Sequence, residues 1–91
     1  MTTNNSINEK PEWFDAGKIS KTMDAREMLE AGGHPLAEAV SATSELKPGQ
    51  IFELITPFTP MPLIEKIMDK GFSAYVNSVT NSEIHTYFCK V

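Results

Sequence analysis

A histidine-proline pair, an Asp-x-Arg pair and one cysteine hold most of the chemistry this chain can offer. His34-Pro35 follows Gly32-Gly33 and precedes an apolar stripe at helical spacing. A helix start disfavours the imidazolium, so His34 would present a neutral ring to a metal or a hydrogen-bond partner. The plainer reading is a loop or capping residue beside Pro35, and it is preferred. No second ligand stands at metal spacing, and nothing places His85 near His34, so no metal site is assigned. Asp24 and Arg26 end a strand pattern. They read either as a polar pair in the crevice where strand ends meet helix starts, or as an ion pair bracing the connection to Gly33. The brace is preferred, because Arg26 is the chain's one arginine.

Phe58 and Met61 lie in Thr56–Pro62, a stretch with three prolines in seven residues. On a stiff loop they form either a partner-binding surface or a plug for the end of the core. Cys89 is the one cysteine. It excludes a disulfide framework and a thiolate zinc site. In a terminal strand it has no helix dipole, its neighbour Lys90 points to the opposite face, and the surroundings are acidic. It reads as a small apolar strand residue, not a sulfur carrier. Nothing in the sequence calls for a cofactor.

The elements that must position these residues follow from periodicity. Ile19–Ala25 reads as a strand with Ile19, Lys21, Met23 and Ala25 on one face. Arg26–Ala31 reads as a short helical turn ended by Gly32-Gly33. A helix opens at His34-Pro35, with Pro35 at its first position and Leu36, Ala39, Val40, Thr43 and Leu46 facing the core. Lys47-Pro48-Gly49 turns the chain. The apolar run Ile51–Ile55 suits a central strand. After the proline loop, a second helix buries Leu63, Ile64, Ile67 and Met68 and stops at Gly71. Phe72–Val79 alternates, Thr80-Asn81-Ser82 turns, and Glu83–Val91 forms the last strand of an antiparallel hairpin.

The order strand, helix, strand, helix, strand, strand, with right-handed crossovers, puts both helices on one side of a four-stranded mixed sheet. The expected fold is an α+β two-layer α/β sandwich, βαβαββ. Residues 1–12 read as a disordered lead-in and residues 13–91 as the domain. Trp13 and Phe14 should nevertheless dock, and the open sheet face with Tyr75, His85 and Tyr87 needs either that arm or a second chain in a homodimer to cover it.

Charge narrows the partners. Eight basic residues face twelve acidic ones, and the net −4 falls wholly after residue 22. Without clustered lysine and arginine, neither nucleic acid nor an anionic membrane surface is expected. The longest apolar run is far below the about 18 residues a span needs. The first residues lack the pattern of a signal peptide, and with one free cysteine the expected compartment is the cytoplasm.

Met23-Asp24-Ala25-Arg26-Glu27-Met28, His34-Pro35-Leu36, Lys47-Pro48-Gly49 and Pro57-Phe58-x-Pro60-x-Pro62-Leu63 resemble, taken together, a family of small bacterial domains of unknown function related to the TusA/SirA sulfur carriers. The resemblance covers about residues 13–91 and implies a TusA-like sandwich, in agreement with the element order. Those carriers have a motif similar to L-D-x-R-G-L-x-C-P-x-P, whose cysteine opens the first helix and bears a persulfide. Here His34-Pro35 stands at the Cys-Pro position after a connection four residues longer. What this implies is a non-enzymatic binding module that recognises a protein partner or small ligand at the edge formed by Asp24, Arg26, His34, Phe58 and Met61. The other reading is an accessory to redox, sulfur or metal handling in which His34 takes part directly.

Overall fold

A computed structural model describes residues 8–90. A short 3-10 turn, Ala16–Lys18, leads into β1 (Ile19–Asp24), α1 (Arg26–Glu30), α2 (Leu36–Ser44), β2 (Ile51–Thr56), α3 (Met61–Met68), β3 (Phe72–Thr80) and β4 (Glu83–Lys90). The sheet order is β1-β2-β4-β3. β1 runs parallel to β2, and the other two pairings are antiparallel. The fold is therefore a mixed four-stranded sheet layered with helices, a two-layer α/β sandwich.

The main core lies between the layers. Phe52, Leu54, Val76, Ile84 and Phe88 from the sheet meet Ala39, Ala42, Leu46, Leu63, Ile64 and Ile67 from the helical side. β2 is interior and alternates as a strand between two packed layers must: Phe52 and Leu54 join this core, while Ile51 joins a second cluster on the opposite face. That second cluster adds Tyr87 and Cys89 and is covered by Trp13, Phe14, Ile19 and Tyr75. The Phe14 ring meets Tyr87 and Tyr75 edge-on, with centroids 4.6 and 5.2 Å away. Lys10 Nζ sits 5.7 Å above the same ring. Of the expected disordered lead-in, residues 1–12, the first seven lie outside the described residues; residues 8–12 are described, and the Pro11 carbonyl accepts from Phe14 N–H at 3.2 Å.

Four local readings are corrected. Ile19 does not share a face with Met23 and Ala25: it packs in the second cluster, while they belong to the main core. The cause is a register shift in β1 between Ile19 and Lys21, which inserts one residue and reverses the alternation. α3 begins at Met61, before the expected loop ends, because Pro62 falls in its first turn, where a missing N–H costs nothing. Met68 is 40% exposed rather than buried. Pro35 is the N-cap of α2 rather than its first residue, and its carbonyl accepts from Ala39 N–H at 2.8 Å.

Candidate functional site

Local geometry sets His34 at the surface. α1 is capped by Ala31 and followed by Gly32, which adopts φ 90°, a conformation that disfavours a side chain. Gly33 N–H donates to the Met28 carbonyl at 2.8 Å. A Cβ on Gly33 would lie 2.8 Å from Met28 Cγ and 3.1 Å from that carbonyl oxygen. The glycine pair thus allows the chain to fold tightly back on α1, and it delivers an exposed His34 and a buried Pro35 to the start of α2. On the facing side, the buried Thr56 hydroxyl donates to the Phe58 carbonyl and ties down the proline loop. Phe58 is left 51% exposed.

Between these segments lies an apolar cleft of ≈ 290 Å³. Leu29 of α1, His34, Pro35 and Leu36 form one wall, and Phe58, Pro60, Pro62, Leu63 and Lys66 form the other. Its two nitrogen-bearing side chains are His34 and Lys66. The cleft can hold an apolar group and offer that group a polar contact at the imidazole.

The five residues singled out from sequence do not line one hollow. His34 and Phe58 share the cleft. Asp24 and Arg26 line a separate polar notch with Glu27, Glu30, Pro57 and Ser82. Adjacent residues of one loop, Pro57 and Phe58, thus serve different hollows. Met61 is 40% exposed and lines neither. In the notch, Arg26 Nη2 and Nε donate to Asp24 at 2.7–3.3 Å, and Arg26 N–H donates to Asp24 Oδ1 at 3.1 Å. Hydrogen bonds from Arg26 hold the Asp24 carboxyl at about 2. Arg26 Nη1 also stands 3.6 Å from Glu83, which links the start of α1 to β4.

Sequence reasoning missed a cluster on the face opposite the helices. His85 Nδ1 lies 2.8 Å from Glu53 Oε2, and Nε2 lies 2.8 Å from Glu83 Oε2. Burial pushes the imidazole pKa down, but the Glu83 and Glu53 hydrogen bonds outweigh it and the net shift is upward. Burial pushes Glu53 up, and hydrogen bonds from His85, Thr22 and Tyr87 outweigh that to leave it lowered. Burial first, then Glu53, raises the Tyr87 phenol. Glu83 and His85 are two apart on one strand, a legible signal of a shared face. Glu53 required the β2–β4 register. Both ring nitrogens are taken by carboxylates, and among the described residues no group of His, Cys, Asp and Glu is arranged to hold a metal. Cys89 is buried, and burial raises its thiol pKa.

Residues 22–90 match a protein-family model described as "Uncharacterized conserved protein (DUF2249)". The chain belongs to the DUF2249 family. The match begins within β1 and takes in both walls of the cleft, the notch and the His85 cluster, but not the Trp13-Phe14 arm. No curated protein and no solved structure matches the chain. Among the described residues, no helix is long and apolar enough to cross a membrane.

Proposed function

We propose that this DUF2249 chain is a TusA-like, non-enzymatic binding module that takes an apolar group of a protein partner or small ligand into the cleft at His34. The observation that carries the reading is the cleft itself: a wall of proline and leucine side chains, with an exposed phenylalanine on one side and an imidazole on the other. Exposed aromatic surface beside a concave apolar wall costs solubility unless something binds there. The resemblance to the TusA/SirA carriers supports the same location, since His34-Pro35 stands where they have Cys-Pro. An imidazole cannot bear a persulfide, and the one thiol of this chain is buried on the far side of the sheet. Binding, not sulfur relay, is the role these residues suit. We place it in the cytoplasm, where a free buried cysteine is an ordinary residue.

The test is capture of a partner from the source cell with the wild type, His34→Ala and Phe58→Ala side by side, with metal analysis of the purified protein. His34 is exposed and makes no structural hydrogen bond among the described residues, so His34→Ala should cost at most about 1 kcal/mol of stability. It should nonetheless weaken capture, and Phe58→Ala should do the same. Capture unchanged in both variants would refute the cleft as the binding site.

A further inference from the structure

The cleft beside His34 has an electrostatic character that its apolar walls conceal. The chain carries twelve acidic residues against eight basic ones, yet no acidic residue lines this cleft. Its nitrogen-bearing side chains stand on opposite walls, His34 on one and Lys66 on the other. Helical spacing puts Lys66 there: Leu63, three residues earlier on α3, is buried in the same wall, and Lys66, one turn on, is exposed. Among the described residues, no carboxylate stands within ion-pair distance of Lys66. Both walls also begin helices, α2 after Pro35 and α3 after Pro60, and neither start has a side-chain cap hydrogen bond. The positive ends of the two helix dipoles therefore add to the lysine. Glu38 lies in the first turn of α2 but does not line the cleft.

We infer that the ligand of this cleft is a small free carboxylic acid, one carboxylate on a compact apolar body such as a single ring or a short branched chain. This rests on the reading of the cleft as the binding site and names the class of ligand. The apolar body would lie against Leu29, Leu36 and Leu63 and meet the exposed Phe58 ring. The carboxylate would pair with the Lys66 ammonium, whose alkyl stem can cover apolar surface while its head stays in water, and would accept a second hydrogen bond from the His34 ring. Size argues for a compact ligand: ≈ 290 Å³ is at the low end for ligand sites, too little for a long acyl chain. Charge sets the sign. An amine would meet Lys66 and two positive helix ends, and a neutral analogue would keep only the apolar contact. A second carboxylate would have to lose water against leucine and proline with no cation to meet it.

The test is titration of isotope-labelled protein, followed by amide NMR shifts, with phenylacetate, its neutral counterpart phenylacetamide and the cation phenethylamine. Phenylacetate should move the amides of Leu29, His34, Leu36, Phe58 and Lys66. At low salt it should bind about threefold or more tightly than phenylacetamide, with phenethylamine weakest, and added salt should narrow the gap. Lys66→Gln should abolish the preference for the acid and leave phenylacetamide binding unchanged, whereas Phe58→Ala should weaken both. Should Lys66→Gln fail to fold, the comparison of acid and amide in the wild type and its salt dependence decide without it. Equal binding of acid and amide overturns the inference and leaves the cleft standing as the binding site. Cleft amides unmoved by phenylacetate at its highest soluble concentration also overturn it, and partner capture with Phe58→Ala then judges the cleft separately. Shifts confined to other surfaces overturn it as well, and so does a peptide ending in phenylalanine that binds the cleft where phenylacetate does not.

Discussion

His85 between Glu53 and Glu83 makes part of the stability depend on pH. Its folded-state pKa is raised above the ordinary 6.5, so the folded chain holds its proton where the unfolded chain releases it. That contribution is complete below 6.5 and is lost as pH rises through the folded value. Glu53 works in the other direction: its lowered pKa contributes above 4.5 and is lost as pH falls through its folded value. The clasp is therefore strongest between 4.5 and 6.5. Urea unfolding from about pH 6 to about pH 8.5 should show stability falling in the wild type and a flatter slope in His85→Gln. A second residue-scale consequence concerns Thr86. Its side chain is wholly buried, and its hydroxyl has no hydrogen-bond partner among the described residues. Thr86→Val removes that desolvated hydroxyl at nearly constant shape and should raise stability by about 1 kcal/mol in denaturant titration.

The N-terminal arm works as an element because it covers a sheet face the helices leave open. Phe14 caps Tyr75 and Tyr87, and Cys89 lies in the same cluster. Phe14→Ala should cost about 2 kcal/mol, less than a full core deletion because the ring is only half-buried. It should also speed the reaction of Cys89 with a thiol reagent under native conditions, because the cover over the cluster thins. Equal thiol reactivity in variant and wild type would show that the arm does not guard this face. Deletion of residues 1–18 should act in the same direction and lower the melting temperature further. At the same scale, the helical stripe of α2 and the alternation of β4 were legible because one buried face imposes one period. The reversal inside β1 was not, because a bulge leaves no mark in a pattern of side-chain types.

For the whole molecule, charge is the property that most restricts its partners. The net −4 comes with a single arginine, and that arginine is engaged by Asp24 and Glu83. Phosphate recognition needs cations free to displace counterions, and this surface offers scattered lysines instead. A duplex DNA fragment mixed with the protein at low salt should therefore show no mobility shift. A shift that disappears with added salt would mean that a basic surface forms on association.

Length, charge and periodicity by themselves determined the layer architecture: two amphipathic segments and four short strands in this order have few ways to bury one core. They also marked His34 and Phe58, because a glycine pair before His-Pro and a proline-dense loop are local features whose geometry does not wait on distant contacts. Which marked residues share a site was decided only in three dimensions. Pro57 and Phe58 are neighbours in the chain and line different hollows, and Asp24 and Arg26 fall on the other side of that divide from His34. The Glu53–His85 contact spans 32 positions and depends on how β2 registers against β4. Strand register follows from the packing of both sheet faces at once, so only the tertiary structure could bring that pair together.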